Sequence, residues 1–305
     1  MPRSARNRTG GVASRRLWPA LAAPGVAWLL LLFLVPFYAI AAVAFGGTDP
    51  LFNAPLPEWN PLHWQFGTMS EVISRATTGE LRPVFVRTFL YVAAAMAICC
   101  LIGYPVAYYV ARLAGRRRGL LLALILAPWW INYLMRMLAW VNLLQDDGYV
   151  NDALMRLHLI PNPVHWLSGN QYSVVLGLAY GYVPYFIIPL YVTLDRIDGR
   201  LLEASRDLGH GMVRTFLHVT LPLSRQGLLT AVVITALPMF GDYYTTNMLS
   251  GAPTTTMVGN EIEFYLLGSS QKEVGAALVL VLSGLMLALM AYYLVSTHRA
   301  SREVS

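Results

Sequence analysis

Two ionisable side chains lie deep inside long apolar segments, where a charge is costly and is therefore a candidate for function. Arg136 follows Arg118 by 18 positions, and Asp242 follows Arg225 by 17 positions. In a helix rising about 1.5 Å per residue, both stand roughly 26 Å above those arginines. This equal depth predicts either a buried ion pair that holds the bundle together or an acidic group at Asp242 that meets a cationic solute. Both interpretations stay open for Asp242, whereas Arg136 is interpreted as structural because a free cation would repel such a solute.

Aromatic side chains cluster near the same depth. Their rings can bind an alkylammonium group through cation–π contacts, each contributing about 0.5–2 kcal/mol. The alternative is an aromatic belt at the membrane interface, which is the stronger explanation for most of these rings. The candidate pathway residues beside Asp242 are Trp129, Trp130, Tyr133, Tyr243 and Tyr244.

Motifs for catalysis are absent from the sequence. It contains no G-x-x-x-x-G-K-[ST] phosphate loop, and the single lysine, Lys272, follows a glutamine. It also contains no G-x-S-x-G or H-E-x-x-H motif. Cys99 and Cys100 are adjacent inside an apolar segment and have no metal-ligand spacing. The chain is therefore predicted not to be an enzyme, and neither a metal nor a cofactor is expected in it.

The composition is that of a membrane protein. Of 305 residues, 56% are hydrophobic and 12% are charged, which is about half the charge of an ordinary soluble chain. Six apolar segments reach the ~20 residues that a helix needs to cross hydrocarbon, and prolines such as Pro128 are tolerated inside such a bundle. The first segment exceeds the ~7–15 apolar residues of a signal peptide, so an uncleaved helix is expected. The sequence thus predicts an all-α polytopic protein with spans at about 18–45, 84–111, 119–144, 171–194, 226–249 and 273–296.

The loops between these spans differ in charge. Alternate loops and the two ends contain 16 basic residues, whereas the remaining loops contain five. The basic side is predicted to be cytosolic, which places both termini and the loop at 195–225 there. The net charge of +6 follows this loop pattern and forms no single face, so no nucleic-acid partner is expected.

The predicted cytosolic loop at 195–225 carries a spaced signature. Asp198 is a candidate helix N-cap, and Gly209 is placed to end a short helix as a C′ residue. A second helix, Met212 to Val219, would complete a rigid knob whose small residues let a partner approach closely. The signature itself is Glu203-Ala204-Ser205, then Gly209, then Val219-x-Leu221-Pro222.

This signature resembles the Glu-Ala-Ala-x3-Gly-x9-Ile-x-Leu-Pro motif of permease subunits in binding-protein-dependent ABC importers. Ser205 and Val219 are conservative departures from it. Further segments resemble the spermidine/putrescine permease branch, specifically its B-type subunit, over about residues 85–295. These segments are Gly103–Arg112, Ala127–Arg136, Gly148–Asn151, Leu237–Tyr243 and Val258–Ile262.

The resemblance implies a type I importer permease in a bacterial inner membrane, with a permease domain at 18–296 and cytosolic ends at 1–17 and 297–305. It implies four kinds of partner besides membrane lipid: a homologous C-type permease, two ATP-binding subunits that hold ATP and Mg, and an extracytoplasmic solute-binding protein. The knob would dock on the ATPase, with Glu203 and Gly209 carried over directly, and the solute would be a polyamine.

Rival interpretations remain. Related permeases serve ferric iron, thiamine, sulfate and phosphonate, and specificity rests mainly with the binding protein. A secondary carrier driven by an ion gradient would need no ATPase-docking knob and usually shows an inverted repeat, which the sequence does not show. An intramembrane enzyme is disfavoured by the missing motifs.

Overall fold

The computed structural model describes residues 11–49, 51 and 54–302, and most of them are helical. Residues 1–10 and 303–305, which belong to the predicted cytosolic ends, lie outside the described residues. The helices in the described part are α1 Gly11–Ala44, α2 Gly67–Thr77, α3 Arg82–Arg112, α4 Arg118–Leu126, α5 Tyr133–Leu144, α6 Tyr149–Arg156, α7 Gln171–Asp195, α8 Gly199–Asp207, α9 Met212–Thr215, α10 Leu221–Phe240, α11 Tyr244–Leu249, α12 Val258–Glu263 and α13 Lys272–Arg302.

Five helical stretches of the described chain are long and apolar enough to cross a membrane. They are α1 from Leu21, α3, α7, the joined α9–α10 stretch and α13. A bent pair of shorter helices supplies a sixth if it is counted as one span. The chain is thus an all-α polytopic bundle, as predicted.

The predicted third span at 119–144 is not one helix. Its two halves are bent by 87° relative to each other, a break that was not predicted from the sequence. Pro128 lies in a 3-10 turn, Ala127–Trp130, that ends α4. Asn132 then accepts a hydrogen bond from the backbone N–H of Leu134 at 2.8 Å and starts α5. The helix breaks here because Pro128 has no backbone N–H to donate and because Asn132 caps the start of a new helix.

The fifth span is displaced from its predicted position at 226–249. The helical path begins at Met212, passes through a π turn at Phe216–Thr220 and ends at Phe240. Residues after Gly241 form the separate helix α11. The predicted second helix of the knob is therefore continuous with the span, and Asp242 lies in the break beyond the span.

Helix α7 occupies the centre of the bundle and packs between α3 and α10. Its side chains Phe186, Leu190 and Leu178 are fully buried, together with Cys99 of α3 and Met239 of α10. A second cluster joins the end of α1 to α2 and α13. Residues 21–35 of α1 expose a run of large apolar side chains, as expected for a helix at the edge of a membrane bundle.

The end of the bundle opposite residues 198–222, called the distal end here, carries most of the remaining structure. A short antiparallel pair of strands, β1 Gly47–Thr48 and β2 Pro55–Leu56, follows α1. Trp64 stacks on Phe45 at the end of α1, with ring centroids 4.6 Å apart. Helices α2, α6 and α12 also lie at the distal end.

Candidate functional site

The knob, residues 198–222, is two helices joined by a tight turn. The carboxylate of Asp198 accepts a hydrogen bond from the backbone N–H of Arg200 at 3.0 Å and caps α8, as predicted. The turn after α8 requires a left-handed residue, and Gly209 has φ of +85°. A glycine adopts this conformation without the steric penalty of a Cβ atom. The predicted C′ position of Gly209 is therefore the one observed.

Ser205 does not lie on the outer surface of the knob, where its small side chain was predicted to let a partner approach closely. It is buried, and its hydroxyl lies 3.1 Å from the Thr215 hydroxyl and 3.1 Å from His210 Nδ1. These contacts tie α8 to α9. The small side chain at position 205 is therefore explained by packing inside the knob.

The knob exposes large apolar side chains where α8 meets α9, beside charged side chains of α8. Leu208 is 81% exposed and Met212 is 82% exposed. Glu203 and Ala204 are exposed on α8 beside them. Neighbouring exposed apolar side chains of this kind are typical of a docking surface.

The far end of the signature joins the knob to the bundle. Val219 lies within the π turn and is half-buried, and Leu221 packs against the main core. Pro222 is exposed in the first turn of α10. The preceding loop is also anchored, because the Arg112 guanidinium donates to the carbonyl of Ile197 at 2.5 Å. Motion of the knob is therefore mechanically connected to α3 and α10.

The second candidate site is the Asp242 cluster: Tyr133, Tyr182, Asp242 and Thr245. Oδ1 of Asp242 accepts from the backbone N–H of Thr245 at 2.9 Å, which caps the start of α11. Oδ2 accepts from the hydroxyls of Tyr182 at 2.9 Å, Thr245 at 2.9 Å and Tyr133 at 3.1 Å. One carboxylate thus joins α5, α7 and α11.

The predicted ion pair between Arg136 and Asp242 is not formed. Ion pairs in the described part of the chain involve Arg75, Arg118 and His165 instead. The guanidinium of Arg136 lies over the ring of Tyr133, 5.3 Å from its centroid. Two residues at equal depth meet only if each helix is rotated so that its side chain faces the other helix. Here Tyr133 lies between the guanidinium and the carboxylate.

A cavity of about 330 Å³ opens beside the Asp242 cluster. Arg136 contributes to its wall, as do four predicted pathway residues: Asp242, Tyr133, Tyr243 and Tyr244. The rings of Tyr243 and Tyr244 stack with centroids 4.3 Å apart. The cavity therefore offers one carboxylate, one guanidinium and several aromatic faces.

The two tryptophans lie away from the cavity lining. Trp129 packs on Tyr185 with ring centroids 3.8 Å apart, so it supports the wall from behind. Trp130 is 84% exposed. An interface belt therefore accounts for Trp130 better than a pathway does.

Two glycines of α7 allow the cluster to assemble. A Cβ atom at Gly177 would lie 2.3 Å from Leu249, and one at Gly181 would lie 3.0 Å from the Tyr133 ring. The Gly177-x-x-x-Gly181 pattern thus serves packing inside this chain. Thr245 was not among the predicted site residues. The signal for Thr245 was its position three residues after Asp242, the spacing of an N-cap carboxylate and its helix.

No group of three or more metal-ligating side chains occurs within the described ranges. The model of the family described as "Binding-protein-dependent transport system inner membrane component" matches residues 101–302.

Two relatives carry the name "Spermidine/putrescine transport system permease protein PotB". The protein from Haemophilus influenzae is 30% identical over 285 residues, which are 91% of this chain and 93% of that protein. The protein from Escherichia coli K12 is 34% identical over 205 residues, or 67% and 72% of the two chains. Among solved structures, a chain of a bacterial alginate ABC transporter in complex with its periplasmic protein superposes with a TM-score of 0.70. It is 15% identical, and the alignment covers 92% of this chain and 94% of that one, so it supports the fold alone.

Proposed function

Because this chain belongs to the family of binding-protein-dependent transport inner membrane components, as a permease subunit of an ABC importer, we propose that it forms part of the translocation pathway for a polyamine. The observation that carries the substrate class is the 30% identity to a spermidine/putrescine permease over 91% of the chain. The acidic and aromatic cavity beside Asp242 supports it.

The cavity geometry suits an alkylammonium solute in a particular way. Oδ2 of Asp242 accepts three hydroxyl donors, so the solute meets tyrosine rings and hydroxyls first. These rings attract cations, and the buried carboxylate behind them strengthens the attraction. Arg136 on the same wall balances this charge and favours passage over tight retention.

The knob is proposed to be the ATPase-docking element, on the cytosolic side together with both termini. Its exposed apolar side chains would enter a groove of an ATP-binding subunit that holds ATP and Mg. ATP-driven closure would then move the knob and, through α3 and α10, switch the bundle between inward and outward access. A homologous C-type permease would form the other half of the pathway, and an extracytoplasmic binding protein would deliver the solute to the distal end.

The decisive experiment is uptake by the complete transporter in proteoliposomes, with labelled spermidine compared against labelled neutral solutes. We expect ATP-dependent uptake of spermidine alone. If the complex moves a different solute instead, such as ferric iron or thiamine, the polyamine assignment is wrong while the permease assignment survives. Uptake driven by an ion gradient without any ATPase would instead support a secondary carrier.

The role of Asp242 needs the double variant Asp242→Asn with Arg136→Gln, which removes both charges of the cavity together. We expect it to assemble and to move spermidine more slowly. Transport at the original rate would make Asp242 purely structural.

Orientation is tested separately. Reporter fusions at positions 60, 158 and 262 should report an extracytoplasmic location, and fusions at 115, 210 and 303 a cytosolic one. A reversed signal at 210 would remove the docking role of the knob.

A further inference from the structure

A second cavity lies at the distal end, separate from the Asp242 cavity. It has a volume of about 640 Å³, is open to the surface and is lined by α11, α12 and the segments that follow each of them. Helix α11 separates the two spaces: Thr246 and Asn247 line this distal cavity, whereas Tyr244 lines the other.

One wall of the distal cavity is acidic and is held in place by hydrogen bonds. Glu261 and Glu263 both line it. The carboxylate of Glu263 accepts from the Asn247 amide at 2.7 Å, and Asn247 in turn accepts from the buried Asn260 at 2.8 Å. Asn260 also donates to the carbonyl of Tyr243 at 3.1 Å, next to the Asp242 cluster. The acidic wall is therefore connected to the pathway residues and oriented by them.

The positive charge that acts on this wall, Arg87, forms its hydrogen bonds with other groups. Arg87 exerts an electrostatic effect on Glu261. Its guanidinium donates to the carbonyls of Thr254 and Thr256 at 2.5 and 2.7 Å and to the Thr256 hydroxyl at 2.8 Å. In the described part of the chain, neither Glu261 nor Glu263 forms an ion pair. Burial raises the pKa of Glu261 above its ordinary value, and Arg87 only partly offsets this. An added cation would relieve that penalty.

The rest of the lining suits an aliphatic chain. Phe264 and Leu267 are among its apolar residues, and Leu267 is 79% exposed. Thr246 belongs to the same wall, is 1% exposed, and has a hydroxyl without a hydrogen-bond partner in the described residues. A buried unpaired hydroxyl is uncommon and points to a ligand or water that completes it.

We propose that the distal cavity is an entry site for the alkylammonium solute. Glu261 and Glu263 bind its ammonium groups, while Phe264 and Leu267 contact the methylene groups between them. This inference rests on the proposed function and adds to it a receiving site between the binding protein and the Asp242 cavity. The combination of carboxylates and apolar surface selects a flexible organic polycation over an inorganic one.

The test uses the complete transporter in proteoliposomes with saturating loaded binding protein, and it measures labelled spermidine moved per ATP hydrolysed. The double variant Glu261→Gln with Glu263→Gln should lower this ratio about tenfold, because both carboxylates that bind the ammonium groups are lost. ATP hydrolysis stimulated by the binding protein should persist. The matched control is Asp147→Asn, which removes an exposed carboxylate from another distal loop and should leave the ratio unchanged.

A second pair of variants avoids any folding defect. Leu267→Lys places a cation in the cavity at a highly exposed position and should also lower the ratio, whereas Leu267→Gln should not. Unchanged ratios in both the double glutamine variant and Leu267→Lys would overturn the site. So would a loss of binding-protein-stimulated ATP hydrolysis in every cavity variant, because the cavity would then be a docking surface. If the unmodified complex moves no spermidine, the polyamine assignment fails and this site fails with it.

Discussion

The knob and the Asp242 cluster both form where a helix is interrupted, yet they are stabilised differently. In the knob, a cap at Asp198 and a left-handed turn at Gly209 are set by residues within a dozen positions of each other. In the cluster, Asp242 bonds to Tyr133 and Tyr182, which are 109 and 60 positions away. The knob leaves its apolar face open, whereas the cluster encloses a charge.

This difference matches the two roles proposed above for the knob and for the Asp242 cluster. A surface that docks on another subunit can be built locally, because its partner supplies the remaining contacts. A charge enclosed within the bundle needs donors from several helices, since an unsatisfied buried carboxylate would be strongly destabilising. Substitutions in the cluster should therefore act on folding first, and those in the knob on coupling first.

The largest effect is expected from Asp242→Asn. The amide replaces one acceptor oxygen with a donor that faces hydroxyl donors, and each buried group left unpaired costs about 1–3 kcal/mol. Thermal unfolding of the purified complex should show a clear fall in Tm. Asp147→Asn, which alters an exposed aspartate, should unfold as the original does. Equal unfolding of both variants would contradict a structural role for the cluster.

A smaller effect on stability, but a severe one on coupling, is expected from Gly209→Val. A side chain in the left-handed region costs about 1–2 kcal/mol, and the strain falls on the turn between the knob helices. The variant should reach the membrane and assemble, yet lose ATP hydrolysis stimulated by loaded binding protein. Gly211→Val is the matched control, since Gly211 has an extended φ of −69° and open space around its Cβ position. Normal transport by Gly209→Val would refute the coupling role.

The smallest effect on folding is expected from Leu208→Ser. Because Leu208 is 81% exposed, its removal should leave Tm unchanged within error. Co-purification of the ATP-binding subunit should nevertheless weaken, since exposed apolar side chains on the knob gain contacts only on docking. Leu62→Ser, at a 90% exposed distal position, should alter neither property. A drop in Tm without weaker association would show that the knob face packs within this chain.

The same difference between local and long-range contacts explains which features could be predicted from the sequence. The cap at Asp198 and the turn at Gly209 were predictable because the residue types that make them act on their immediate neighbours. The break at Pro128 was missed because proline is tolerated in many membrane helices. Asn132 four residues later was the available sign of a new helix start.

The Asp242 cluster was predicted only in part. Counting residues from the basic loops gave the depth of Arg136 and Asp242, but depth says nothing about which side of a helix faces which neighbour. Tyr182 lies on α7, and its approach to Asp242 depends on the packing of α7 against α10 and α11. Such rotations are fixed by contacts across the whole bundle, so the partners of the carboxylate on α5 and α7 could not be predicted from spacing.

The π turn at Phe216–Thr220 sets the rotational phase between the knob and the fifth span. Such a turn contains one residue more than an α turn, so the segment before it is rotated by about 100° relative to an uninterrupted helix. The relative directions of the Met212 and Leu221 side chains therefore cannot be predicted from one regular α-helix. Deleting a single residue here would rotate the exposed apolar side chains of the knob by more than a quarter of a revolution while keeping every signature side chain. The fixed spacing of nine residues between Gly209 and Val219 is thus an angular requirement as much as a linear one.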